Sequence, residues 1–112
     1  MYSMKKENKI YLNDILDCIG KILIYVKELD YQAFRKDNKT RDAVMRNFEI
    51  IGEAASQLSE DFIEEHHDLE FHRAIGMRNQ LIHGYSKIDL KIIWRTIEDD
   101  LPSMEKAIKD LF

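Results

Sequence analysis

Four residues in one short stretch have the types and spacing for proton and phosphate chemistry: Arg78, Asn79, His83 and Tyr85. Arginine presents a planar fork of donors to a phosphate, and imidazole moves protons near neutral pH. A tyrosine hydroxyl can donate to a substrate, and its ring can stack beside one. The stretch lies within residues 71–88, which carry two arginines, one lysine and two histidines but no Asp or Glu. The chain as a whole has a formal net charge of -4. That local reversal of charge permits an anionic ligand here.

The apolar spacing predicts a helix from Phe71 to about Gly84, glycine being a common helix terminator. On a wheel of about 100° per residue, Phe71, Ala74, Ile75, Leu81 and Ile82 gather on one face with Arg78 among them. A guanidinium sealed in a core costs several kcal/mol unless paired. Arg78 therefore either meets a carboxylate, for which Glu53 on a neighbouring helix is the expected partner, or opens onto a cleft. The adjoining flank carries His72, Gly76, Asn79 and His83. Asn79 and His83 are i,i+4 neighbours, and Gly76 leaves a gap that a ligand or a second backbone could enter.

Such an arc suits phosphoryl transfer without a metal. A base that takes the 2′-hydroxyl proton of RNA directs that oxygen onto the adjacent phosphorus, while Arg78 stabilises the developing charge. One histidine is not conveniently both base and acid in a turnover, so a second copy across a dimer interface would supply the other. The same spacing also fits a buried ion pair and a helix-end histidine with no catalysis.

The elements that must position these residues are helices. With 112 residues, 45% hydrophobic and 34% charged, four Gly and one Pro, the chain reads as one all-α domain, residues 1–112. Apolar residues from Leu12 to Leu29 recur at helical spacing, predicting a first helix over about 8–29, its stripe widened by Tyr11, Cys18 and Tyr25. Tyr31–Lys36 reads as a short helical turn, with Thr40 as N-cap of a helix over 41–58 that carries Val44, Phe48, Ile51, Ala55 and Leu58 inward. Gly52, Ala54, Ala55 and Ser56 allow another helix to approach closely. Ser59 caps a short helix to His66, and 67–70 reads as a loop. Asp89 caps a final helix whose stripe runs from Leu90 to Leu111, kinked near Asp100 because Pro102 lacks a backbone donor and clashes with the preceding turn. The sum is a bundle of four main antiparallel helices plus one or two short ones.

Several functions are disfavoured. Cys18 is the only cysteine and falls within an apolar helical pattern, as a structural thiol does. His66 and His67 stand near Glu64, Glu65 and Asp68, but adjacent helical residues diverge by about 100°, so no metal is expected. No nucleophile-elbow context appears, and Trp94 and Phe48 fall on core stripes. The lysine-rich N-terminus has no apolar segment of signal or membrane length, so a cytoplasmic protein is expected. The net charge weighs against bulk electrostatic binding of nucleic acid, although Arg35, Lys36, Lys39, Arg41 and Arg46 cluster.

The arrangement Arg78-x4-His83-x-Tyr85 matches a family pattern, Arg-x4-His-x-Tyr, with Asn79 as the polar residue usual after the arginine. Asp42-Ala43-Val44, Arg46-Asn47, Ile50-Ile51-Gly52-Glu53-Ala54, Ile75-Gly76-Met77, Ile88-Asp89-Leu90, Trp94 and Asp100-Leu101-Pro102 extend the likeness over nearly the whole chain. The sequence resembles the HEPN superfamily, and within it the HepT-like toxins of MntA/HepT toxin-antitoxin systems. One departure is residues 66–71, where the family often has a proline and a tryptophan; Phe71 stands in the tryptophan's packing place. The resemblance implies an all-α homodimer with the Arg and His of both subunits in a shared cleft, acting on RNA as a metal-independent endoribonuclease with no cofactor of its own. It implies a cognate MntA-like nucleotidyltransferase antitoxin that uses ATP to attach AMP to Tyr85. The alternative is a non-catalytic nucleotide-binding or scaffold module for such a partner.

Overall fold

The computed structural model describes residues 5–84 and 88–112. Seven α-helices appear among them: α1 (Lys6–Tyr25), α2 (Tyr31–Lys36), α3 (Asn38–Ser56), α4 (Glu60–Glu65), α5 (Phe71–Ile82), α6 (Leu90–Arg95) and α7 (Leu101–Lys109). The four-helix reading holds if α6 and α7 count as one bent rod. None of the described helices is long and apolar enough to cross a membrane.

The α1 stripe is buried as its spacing requires, with Leu12, Ile15, Ile19 and Ile22 fully sealed. Cys18 is buried beside them, and burial pushes its thiol above the ordinary value. The expected extension of that stripe to Tyr25 fails, because α1 ends there and the tyrosine is exposed. At the other end Asn8 is buried and latches α1 to α4. Its Nδ2 donates to Ser59 Oγ at 3.3 Å, and its Oδ1 accepts from Ser59 N–H at 3.2 Å. Ser59 Oγ in turn caps α4 by accepting from Phe62 N–H, as the sequence suggests.

Two local expectations are corrected. Asp37, not Thr40, caps α3: it accepts from Thr40 N–H at 3.0 Å and from Thr40 Oγ1 at 2.7 Å, so both capping-type residues are used and the helix starts a turn earlier. These bonds from Thr40 hold the Asp37 carboxyl below its ordinary value. Residues His67–Leu69 form a 3-10 turn instead of a loop, closed by Glu70 at φ 56°, before α5 begins.

The bend near Pro102 is present in another form. Thr96–Asp100 is a π-turn, with Leu101 N–H donating to Thr96 O, and Pro102 opens α7. A proline ring clashes with the carbonyl four residues back, here that of Glu98. Widening the helix by one residue moves that carbonyl aside, and both prolines and π-bulges are recognised places for a helix to bend.

Helix α5 lies against α3 as its antiparallel neighbour, with Phe71 at the α4 end, 6.0 Å ring to ring from Phe62. Helix α7 packs against α1 and α6 against α2, while Asp100, just before α7, lies 3.7 Å from Arg73 in the first turn of α5. Trp94 of α6 packs on Phe34 and Tyr31 of α2, with centroids 5.1 and 6.4 Å away. Helix α6 and the α2–α3 corner therefore sit together.

Candidate functional site on α5

Gly52 fixes how α5 sits. A Cβ added there would lie 2.3 Å from Arg78 Cβ and 2.7 Å from Ala74 O. Only a hydrogen at this position lets the α5 backbone and the root of Arg78 rest directly on α3. The small-residue stretch anticipated a close helix approach; the structure adds that Arg78 is what approaches.

Arg78 is half-buried, with Nε fully enclosed and without a hydrogen-bond partner among the described residues. No carboxylate of those residues comes within ion-pair distance of it. The expected Glu53 pairing is therefore corrected: Glu53 is exposed. The reason is angular, since Gly52 faces α5 and its successor turns about 100° away round α3. A buried unsatisfied donor of a charged group costs about 1–3 kcal/mol or more. The terminal guanidinium nitrogens, likewise unbonded to described residues, remain for an anion.

His83 caps α5 at φ -92°, followed by Gly84 at φ 130°. Its Nδ1 lies 2.8 Å from the backbone carbonyl of Asn79. A carbonyl only accepts, so Nδ1 carries the hydrogen, and in the neutral ring Nε2 holds the free lone pair. The contact ties off one of the carbonyls left open at a helix C-terminus. Sequence spacing places Asn79 and His83 side by side, but the bond goes to the Asn79 main chain and leaves its amide free to face outward.

The flank bearing these groups is open. His72, Gly76, Asn79 and His83 are exposed, and a Cβ on Gly76 would meet nothing within 4 Å. Ile82, expected inside with Phe71 and Leu81, is instead 57% exposed at the edge of the same flank, with half-buried Ile75 about two turns earlier. Tyr85 falls outside the described residues.

A cavity of about 240 Å³ lies on the other flank of α5, against Arg73, Ala74 and Met77 and floored by Phe48, Ile51 and Leu101. It contains none of Arg78, Asn79 and His83, so concavity and candidate chemistry part company; the chemistry sits on the open flank. Among the described residues no group of three or more His, Cys, Asp or Glu is placed to share a metal ion. His66 packs on Phe62, ring centroids 4.5 Å apart, while His67 turns back toward Glu64 O.

The model of the family "Ribonuclease HepT-like" matches residues 15–111. A Thermococcus cleftensis protein named "Probable ribonuclease HepT" is 36% identical over 96% of this chain and 98% of its own length. A Methanocaldococcus jannaschii protein named as a candidate RNase is 34% identical over 94% of this chain and 96% of its own. A third relative, from Caldanaerobacter subterraneus and also named as a candidate RNase, is 36% identical over 95% of both chains. No solved structure matches the chain. With the all-α bundle, the Arg78–His83 helix and relatives of matching length, the chain belongs to the HepT-like ribonuclease family of the HEPN superfamily.

Proposed function

We propose that this chain is a metal-independent endoribonuclease and the toxin of a toxin-antitoxin pair, with a site completed across a homodimer. The observation that carries the reading is the bond from His83 Nδ1 to Asn79 O, which leaves Nε2 outward as a base on the helix whose arginine has no carboxylate partner. Nε2 takes the 2′-hydroxyl proton, the 2′-oxygen forms a bond to the adjacent phosphorus, and the bond from phosphorus to the 5′-oxygen breaks. The leaving oxygen takes a proton from the second acid. Arg78 holds the phosphate oxygens as charge builds on them, and Asn79 orients the strand.

One copy supplies a single imidazole at the Arg78 end of α5, since His72 on the same flank lies eleven residues, about 16 Å, away along the helix, and the partner's equivalent of His83 would serve as the acid. The open flank with exposed Ile82, half-buried Ile75 and the unfilled space at Gly76 supports a second α5 packing there. Neutralisation follows from the position of Tyr85, two residues after His83. Its hydroxyl oxygen would attack the α-phosphorus of ATP on a nucleotidyltransferase antitoxin, releasing pyrophosphate and leaving AMP on the tyrosine. A phosphodiester beside Arg78 offsets the cation and occupies the substrate's place.

The test is the chemistry of the cut ends. RNA digested in excess chelator should carry 2′,3′-cyclic phosphate and 5′-hydroxyl termini. Ends with 3′-hydroxyl and 5′-phosphate, or dependence on added metal, would exclude the step. Intact mass after incubation with the partner enzyme and ATP should rise by one adenylyl group, and Tyr85→Phe should abolish the gain.

A further inference from the structure

The cations of this protein differ in whether a carboxylate answers them. Around α7 they are answered: Arg73 bonds Glu70 at 2.9 Å and approaches Asp100, Lys106 bonds Asp110 at 3.0 Å, and Lys109 lies 3.9 Å from Glu105. Arg46, which the sequence groups with the basic cluster, is also taken, by Glu49 at 3.3 Å. At the opposite end, Arg35, Lys36, Lys39, Lys91 and Arg95 are all exposed, and none forms an ion pair among the described residues. Lys91 and Arg95 join the other three only through folding, because Trp94 packs on Phe34 and Tyr31.

Three carboxylates of these segments are engaged by backbone N–H groups, with Lys39 adding only a weaker attraction at Asp37. Asp30 accepts from Ala33 N–H at 2.9 Å, Asp37 from Thr40, and Asp89 from Lys91 N–H at 2.9 Å, each spent on a helix N-terminus. Asp42, Glu98 and Asp99 are exposed near these cations, yet none forms an ion pair with them among the described residues. Arg41 braces the corner through the Arg35 carbonyl and Asn38 Oδ1, holding α2 and α3 in place. Lys91 of this corner follows Gly84 by seven residues, so chain length alone keeps it within about 25 Å of the end of α5. Lys5, Lys6, Lys9 and Lys27 around α1 are likewise exposed without an ion pair among the described residues, but the corner gathers five such cations from three helices, α2, α3 and α6.

We propose that this corner is the track along which the phosphate backbone of a single RNA strand runs into the Arg78–His83 site; it rests on the ribonuclease reading. Electrostatic contacts to a backbone are read in the salt dependence of binding, with a slope of about 0.7 per phosphate for single strands. Three contacts removed should flatten the slope of log K against log salt by about 2.

The probe is a fluorescein-labelled single-stranded RNA oligonucleotide, and its anisotropy is followed in a salt series with the 112-residue His83→Ala protein, in which cleavage should be slower by roughly 10² to 10⁴. In that background Lys36→Gln, Lys39→Gln and Lys91→Gln together should flatten the slope by about 2 and weaken binding roughly 10- to 100-fold near 0.1 M salt. Lys106→Gln with Lys109→Gln should leave both unchanged. Circular dichroism establishes that each variant is folded. An unchanged slope in the triple variant, or an equal loss in the α7 control, would overturn the track. The predicted slopes together with no RNA cleavage by the wild-type protein would remove the ribonuclease reading and leave the track standing.

Discussion

Replacing Gly52 by Ala sets two effects of opposite sign against each other. Helix propensity alone says that Ala in the middle of α3 stabilises by about 1 kcal/mol. Packing says the reverse, because the new methyl would stand 2.3 Å from Arg78 Cβ and 2.7 Å from Ala74 O. Carbon atoms rest about 3.5–4.0 Å apart, so α3 and α5 must part by about 1 Å. Both obstructing atoms belong to or adjoin the main chain, so no side-chain rotation relieves them. Overpacking of this kind costs about 1–3 kcal/mol, occasionally more, and the rigid obstruction places it at the upper end. The net expectation is a loss of about 1–2 kcal/mol, which lowers Tm by roughly 4–12 °C for a domain of this size. Urea denaturation with unchanged slope reads it directly. A Gly52→Ala protein as stable as wild type, or more so, would refute the claim that Arg78 is seated on Gly52.

Other perturbations have equally definite outcomes. Asn8→Ala removes both bonds to Ser59 and leaves that N–H without its acceptor, so chemical denaturation should show a loss of about 1–3 kcal/mol. Asp37→Ala should lower Tm at neutral pH. Because the folded carboxyl is held below its ordinary value, its stabilisation is present above the unfolded value, about 3.9, and fades as pH falls through the folded value. Melting curves of the two proteins should therefore converge in acid, and a gap that widens there would contradict the assignment. Ile82→Glu should shift sedimentation from dimer to monomer while changing monomer stability by less than about 0.5 kcal/mol, as a surface substitution does. An unaffected dimer would move the interface off the open flank of α5.

Periodicity made α1 and α3 readable, and Phe71 and Leu81 of the α5 face but not Ile82, because burial imposes the 3.6-residue repeat on the sequence. Caps at Ser59 and Asp89 were readable for a similar reason: each oxygen-bearing side chain stands immediately before an apolar run. The features that escaped lack such a signature. A 3-10 turn of three residues has no repeat to show, and a π-turn looks like helix until its bonding is seen. Asp37 and Thr40 are both capping residues, and only their mutual bond shows which leads. Glu53 was misplaced because small neighbours reveal a close approach without revealing its direction. The site was legible as residue types, yet what orients His83 is a main-chain carbonyl, which every residue carries. Lys91 and Arg95 were invisible as part of a basic corner because only the packing of Trp94 brings them to α2.

The central claim is that His83, held through Nδ1, moves the protons of RNA cleavage. The most direct measurement compares cleavage of one RNA by purified wild-type and His83→Ala proteins, both shown to be folded and of the same oligomeric state. Loss of a general acid–base group should lower the rate by roughly 10² to 10⁴. Equal rates would contradict the account.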